Sequence, residues 1–159
     1  WKGQPFSYPG KHYNLRETTF LPPPPPRQQA RLDGTPRIPV WMVGVWPKDK
    51  SMRRVLHCDG LIPSSPDSHG RMGQSSPEDV RAMAAWLRAN QWAADPGDIV
   101  VEGKTPGDDP HRAAELVRPY AEAGATWWIE AMWDADMGQP EGAAQVLARL
   151  RQGPPSWGG

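Results

Sequence analysis

From residue 38 onward, short apolar runs alternate with stretches in which apolar residues recur at helical spacing. The apolar runs predict strands near residues 38–43, 59–62, 98–102 and 126–130. A helix is expected after each strand, and a loop rich in Ser, Gly and Pro is expected over residues 64–75. Short continuous apolar strands that alternate with helices are typical of a parallel sheet covered by helices. The pattern therefore predicts four βα units.

The predicted helices carry recognisable start signals. Ser76 is placed to cap a helix whose first residue is Pro77, and the Asp109-Pro110 pair repeats this arrangement. The last helix is predicted over residues 140–151, with its apolar face turned inward. That face consists of Ala143, Val146, Leu147 and Leu150.

The first 37 residues have few helix signals. Residues 6–10 read as a turn, followed by two short extended pieces on either side of Glu17. The run Pro22–Pro26 must be extended and stiff, and is either a ligand for a recognition domain or, as we favour, a connector. We therefore divide the chain into an extended, hairpin-like and Pro-rich segment, 1–37, and an α/β domain, 38–159.

Charge and composition narrow the functional classes. Lys plus Arg (18) balance Asp plus Glu (18), which argues against nucleic-acid binding through bulk charge and against a polybasic membrane anchor. No apolar stretch approaches the roughly 20 residues of a membrane span. The chain opens with Trp1 rather than Met, which favours a fragment or a processed chain.

The single cysteine, Cys58, excludes an internal disulfide framework and fits a reducing cytoplasm. It lies in no nucleophile motif, so we expect a packed residue rather than a reactive thiol. The histidines share no metal-ligand spacing with it, and no metal site is expected. The sequence identifies no catalytic residue.

Ligands of parallel α/β proteins bind at the carboxyl ends of the strands. This rule selects four segments as candidates for a site: Gly44–Lys48, Pro63–Ser65, Glu102–Thr105 and Glu130–Trp133. Two of them contain a glycine, a lysine and a helix start downstream. Their backbone N–H groups could seat a phosphate, or their glycines could simply allow tight turns.

Carboxylates and indoles are the remaining candidates in these segments. Glu102 and Glu130 end predicted strands. Each could act as a general base or hold a polar ligand. Alternatively, each is a surface charge or pairs with Lys104 or a nearby arginine. Several tryptophans suit the walls of a flat apolar site, although some of them must belong to the core. These are Trp41, Trp46, Trp127, Trp128 and Trp133.

Four segments resemble one known family. They are Gly3–Tyr13 (GQPFSYPGKHY), Ile38–Gly44 (IPVWMVG), Asp59–Pro63 (DGLIP) and Glu122–Glu130 (EAGATWWIE). Their order and spacing are similar to those of the luciferase-like flavin-dependent oxidoreductases. The resemblance extends over nearly the whole chain but covers only the carboxyl-terminal half of that family.

The resemblance implies a TIM-type (β/α) barrel, of which this chain would form a parallel half-barrel of four βα units. It also implies reduced flavin mononucleotide (FMN) or a deazaflavin coenzyme, used for monooxygenation or hydride transfer on a small-molecule substrate. The cofactor-facing residues would be Gly44, Val45, Trp46, Glu102, Gly103 and Glu130. Val45 and Trp46 stand where relatives commonly carry a small polar residue that helps to hold the flavin phosphate.

A different class of function is also open, in which the chain is a non-catalytic half-barrel that serves structure or assembly. Four strands of a barrel leave two sheet edges and an inner face without partners. We therefore expect a homodimer, or association with a separate amino-terminal half-barrel. A flavin titration separates the two classes.

Overall fold

The computed structural model describes residues 3–22, 38–92, 94 and 96–154. The chain forms two compact units, Trp1–Pro39 and Val40–Gly159, which are described separately. The division falls two residues after the expected boundary.

The first unit contains an antiparallel hairpin of β1 (Phe6–Pro9) and β2 (Asn14–Thr18). The backbone N–H of Gly10 donates to the carbonyl of Tyr13 at 2.9 Å and closes the hairpin. The prediction of a turn over residues 6–10 is therefore wrong. The aromatic side chains of Phe6 and Tyr8 favour a strand, and the turn of the hairpin begins only after Pro9. Residues 23–26 of the proline run lie outside the described residues.

The second unit is a mixed α/β structure whose central strands and helices alternate. Its elements are β3 (Trp41–Val45), α1 (Asp49–Val55), β4 (Gly60–Pro66), β5 (Met72–Gly73), α2 (Pro77–Ala89), β6 (Asp98–Gly103), α3 (Pro110–Ala123), β7 (Trp127–Glu130) and α4 (Pro140–Gln152). Four strands follow the order β3-β4-β6-β7, and every neighbouring pair is parallel. The prediction of four parallel strands that alternate with helices is confirmed.

The helix boundaries follow from the capping residues. The Ser76 hydroxyl accepts from the N–H of Asp79, whose side chain accepts in return from the N–H of Ser76. The Asp109 carboxylate accepts from the N–H of Arg112 in the same way. Gly124 ends α3 in a left-handed conformation, with φ of +108°, which glycine adopts without a steric penalty.

All four helices meet the same face of the sheet, which we call the covered face. Leu61 packs there in a core formed mainly with α1 and α2. On the same face Trp128 contacts Tyr120 of α3, and Glu130 accepts a hydrogen bond from Arg149 of α4. The buried residues of this core include Met52, Val55, Leu61, Val80, Met83, Ala84, Leu87, Ile99 and Val101. Burial of these apolar side chains is the main force that holds the helices on the sheet.

The opposite face, which we call the open face, presents the alternate residues of the same strands. Val43 pairs with Ile62 in the register, and Val100 pairs with Trp127. Val43 is 46% exposed and Trp127 is 52% exposed, although both side chains are apolar. The second unit therefore has one buried and one partly uncovered sheet face.

The inward face predicted for α4 is wrong at two positions. Leu147 and Leu150 are exposed, whereas Ala143 and Val146 are partly buried. Among the described residues β7 is the last strand of the sheet. Helix α4 therefore packs on β7 along one side and has no further strand beneath its other side. None of the described helices is both long and apolar enough to cross a membrane.

Candidate functional site

A pocket of 420 Å³ opens at the carboxyl-terminal end of the sheet, on the side of the open face. This volume lies within the range of about 300–1,000 Å³ that is typical of small-molecule sites. The lining residues are Val43, 62–64, 72–75, 101–104, Ala131 and Trp133. Three of the four candidate segments thus contribute to one pocket, namely Pro63–Ser65, Glu102–Thr105 and Glu130–Trp133.

The segment Gly44–Lys48 does not line this pocket, although Val43, the residue before it, does. The N–H of Val45 donates to the Ser51 hydroxyl at 3.0 Å, and the N–H of Trp46 donates to the Ser64 carbonyl at 2.9 Å. Both backbone donors that could have held a phosphate are already engaged within the fold. Trp46 itself is partly buried against the core.

Gly44 lies on the covered face, where it permits close packing. A Cβ atom at this position would lie 2.5 Å from Leu61 Cδ1 and 2.8 Å from Met52 Sδ. Gly103 has a similar role, because a Cβ there would collide with the indole ring of Trp128. Neither glycine lies in a turn, because Gly44 belongs to β3 and Gly103 to β6. Their contacts show close packing in the sheet instead of the tight turns expected as the alternative to a phosphate site.

Glu130 ends β7 and faces the helices. Its carboxylate accepts from the Thr105 N–H at 2.6 Å, from the Thr105 hydroxyl at 2.8 Å and from Arg149 Nη2 at 3.1 Å. The side chains of Glu130 and Arg149 are only 21% and 11% exposed. Glu130 therefore joins the loop after β6, the end of β7 and helix α4 into one polar cluster.

The same contacts set the acidity of Glu130. Partial burial alone would raise its pKa, but the hydrogen bonds from Thr105 and the hydrogen bond and charge of Arg149 outweigh that effect and lower the pKa. The carboxylate is therefore held ionised and fully hydrogen-bonded. Such a group is a poor general base, and pairing with an arginine was one of the two expectations for it.

Arg149 completes this cluster from the last helix. Its Nη1 donates to the Gly153 carbonyl at 2.6 Å, and its Nη2 also donates to the Thr105 hydroxyl at 2.9 Å. Its Nε is buried without a hydrogen-bond partner among the described residues. Sequence reasoning anticipated an arginine near the strand ends but could not identify Arg149, which lies 19 residues after Glu130.

Glu102 is the penultimate residue of the neighbouring strand β6 and has a different environment. It pairs in register with Ile129, one position before Glu130, and its half-buried side chain lines the pocket. Among the described residues, no side chain donates a hydrogen bond to its carboxylate. The adjacent Lys104 ammonium does not reach it and instead binds Asp134 at 2.9 Å. Glu102 is the carboxylate that a bound molecule could contact.

The five candidate tryptophans divide between core and surface. Trp128 packs on Tyr120 with ring centroids 5.5 Å apart, and Trp46 packs against the core. The ring centroids of Trp41 and Trp127 lie 5.8 Å apart. Trp133 is 85% exposed and lies at the pocket, where its indole can contact a ligand.

Trp41 and Trp127 share an acceptor at the amino-terminal end of β6. Their indole N–H groups donate to the two carboxylate oxygens of Asp98 at 3.1 and 3.0 Å. This bridge links β3, β6 and β7. Asp98 and both tryptophans therefore have a clear role in the sheet itself.

The comparisons with known proteins return nothing. No protein-family model, no curated protein and no solved structure matches this chain. The luciferase-like resemblance stays a prediction that depends on the four sequence segments.

The pocket also contains residues that the sequence did not single out. Strand β4 continues to Pro66 and pairs antiparallel with β5, so residues 72–75 form one wall of the pocket. The turn between these strands is held by the Asp67 carboxylate, which accepts from the N–H groups of His69 and Arg71. The signal was present, because Asp67 followed three residues later by Gly70 is typical of a turn.

A metal centre is not formed by the described residues, where no group of three His, Cys, Asp or Glu side chains converges. Cys58 is buried, as expected, and its thiol lies 3.5 Å from the carbonyl oxygen of Arg54. The chemistry of the pocket therefore depends on Glu102, nearby polar side chains and aromatic or apolar walls.

Proposed function

We propose that this chain is the carboxyl-terminal half of a flavin-dependent oxidoreductase barrel. The observation that carries the proposal is the pocket at the carboxyl-terminal end of four parallel strands, on the face that a closed barrel would turn inward. The four family-like sequence segments add support. A small-molecule substrate would meet the flavin ring in this pocket.

The fit of FMN or a deazaflavin to these residues is partial. The pocket has the size and the aromatic and apolar walls that suit a planar ring, with Glu102 and the backbone near Gly103 at its border. The phosphate finds no such support, since the N–H groups of Val45, Trp46 and Thr105 are engaged elsewhere. A bound flavin would supply hydride or oxygen chemistry, while this chain would bind and orient its ring and the substrate.

A flavin titration tests the proposal. We expect FMN and riboflavin to bind the chain with dissociation constants within about threefold of each other, because only the ring is held (a 1.4 kcal/mol difference would be tenfold). Absorbance changes of the flavin and quenching of tryptophan fluorescence report binding. No binding of either compound at millimolar concentration would overturn the proposal.

The open face favours a second candidate, a half-barrel module that serves assembly without catalysis. Val43 and Trp127 leave apolar surface on this face, and β3 and β7 are the outer strands of the described four-stranded order. Open strand edges and apolar faces promote association. The partner would be a second copy or a separate amino-terminal half-barrel.

Sedimentation velocity at micromolar concentration, with and without flavin, separates the two candidates. A homodimer that binds no flavin supports the assembly module. Flavin binding supports the oxidoreductase, whether the chain is a monomer or a dimer. A monomer that unfolds cooperatively and binds no flavin contradicts both.

A further inference from the structure

We propose that the pocket selects a ligand with a protonated amine on an apolar or aromatic body. This inference names a substrate class for the proposed oxidoreductase and depends on that function only in calling the ligand a substrate. The binding preference itself follows from the charges and walls of the pocket.

The charges around the pocket do not balance. Glu102 is the acidic residue of the lining, and no described side chain donates to it. The cationic residue of the lining, Lys104, has its charge matched by Asp134 at 2.9 Å. One negative charge therefore remains uncompensated at the pocket, and a cation supplied by the ligand would pair with it.

The walls of the pocket are largely apolar. Val43, Ile62 and Met72 give the pocket an apolar surface, and the exposed indole of Trp133 borders it. Apolar contacts favour the hydrocarbon part of a ligand, and an indole face attracts a cation. An arylalkylamine combines both features in one molecule.

The same charges disfavour an anionic ligand. A carboxylate or phosphate placed beside Glu102 would meet like charge, and Lys104 is already paired with Asp134. A neutral alcohol would lose the ionic part of the contact but keep the apolar part. Specificity therefore arises from repulsion of anions as well as from attraction of the amine.

The test uses three probes of similar size, namely phenethylamine, phenethyl alcohol and phenylpropionate, titrated into the whole chain by calorimetry. We expect phenethylamine to bind most tightly and phenylpropionate most weakly. Equal or tighter binding of phenylpropionate would overturn the inference. So would the absence of measurable phenethylamine binding.

Matched variants locate the interaction. Glu102→Gln should weaken phenethylamine at least about tenfold and leave phenethyl alcohol unchanged, since a charge-assisted hydrogen bond is lost. Glu122→Gln, an exposed change on α3, should alter neither. Asp134→Asn should also weaken the amine, because it leaves the charge of Lys104 uncompensated beside the pocket. Unchanged amine binding in Glu102→Gln would contradict the inference.

The same samples distinguish this inference from the proposed function. Amine binding without flavin binding would refute the flavin proposal and leave the amine site in place. Flavin binding without amine binding would refute the amine site and leave the flavin proposal in place.

Discussion

Glu102 and Glu130 lie at the carboxyl-terminal ends of neighbouring parallel strands, yet they lie on opposite faces of the sheet. Glu130 is turned toward the helices, where Thr105 and Arg149 donate hydrogen bonds to its carboxylate. Glu102 is turned toward the open face and lines a pocket with no described donor. A carboxylate at a strand end thus links structural elements when it lies on the covered face, and can contact a ligand when it lies on the open face.

The same difference separates the two faces as a whole. Residues on the covered face are fixed by packing with helices, so their substitution should mainly change stability. On the open face Val43 and Trp127 are about half exposed, although Val100 is buried, and substitution of the exposed residues should mainly change binding or association.

The largest effect is expected for the core of the covered face. Leu61→Ala removes a fully buried side chain and should lower the free energy of unfolding by about 2–5 kcal/mol. Val43→Ala, on the adjacent strand but on the open face, should cost less than about 1 kcal/mol, since half of its surface is already in water. Chemical denaturation measures both. Equal losses would mean that the two faces are buried alike.

The two glutamates give the next effect. Glu130→Gln should destabilise the protein by about 1.5–3 kcal/mol, because it weakens charge-assisted hydrogen bonds and leaves Arg149 without its counter-charge. Glu102→Gln should change stability by no more than about 0.5 kcal/mol. Urea unfolding of the two variants at neutral pH tests this contrast, which fails if Glu102→Gln is the more costly change.

Acidity provides a further check on the same pair. The pKa of Glu130 is lowered from 4.5 in the folded protein, so its stabilising contribution is complete above that value and is lost as pH falls through the folded-state pKa. The difference in stability between the wild type and Glu130→Gln should therefore shrink as the solution is acidified below about pH 4.5. Unfolding curves measured across this range reveal it, and a difference that grew on acidification would contradict the assigned contacts.

Two glycines test how tightly the covered face is packed. Gly44→Ala forces a methyl group against Leu61 and Met52 and should cost about 1–3 kcal/mol. Gly73→Ala, in the hairpin of the pocket wall, meets nothing within 4 Å and should be nearly neutral. Thermal unfolding of the two variants gives the comparison. A neutral Gly44→Ala would show that the core can yield there.

The smallest effect is expected at an exposed ion pair. Lys104→Ala removes the contact with Asp134, whose side chain is mostly in solvent, and should change stability by less than about 1 kcal/mol. Added salt should reduce the difference from the wild type further, because surface charges are screened. A loss comparable with that of Glu130→Gln would show that this pair is structural.

The four parallel strands could be predicted because alternation of apolar runs and capped helices is a local property of the sequence. The sheet face on which each strand residue lies could not be predicted, because it depends on the register between strands and on where the helices pack. Strand β3 begins at Trp41 rather than at Ile38, and only the structure shows that Gly44 faces the helices. The sequence therefore located Glu102 and Glu130 at strand ends without separating their roles.

Two further differences also have a non-local cause. Pairing of β5 with β4 depends on a turn that brings Met72 back to Pro66, and a sequence rich in Ser, Gly and Pro concealed that pairing. The apolar residues of α4 follow helical spacing, but Leu147 and Leu150 are exposed because few strands lie beneath them. Periodicity predicts which residues share a face, but not whether another element covers it.

The buried thiol of Cys58 gives the protein an internal probe of its own motions. The chain holds one cysteine, which lies between α1 and β4 with its Sγ directed to the Arg54 carbonyl. Because Cys58 is only 8% exposed, opening of this junction should speed its reaction with a thiol-reactive dye, and the labelling rate of the native protein should report that opening. Local exposure events and global unfolding can thus be distinguished by their denaturant dependence, without introducing any substitution.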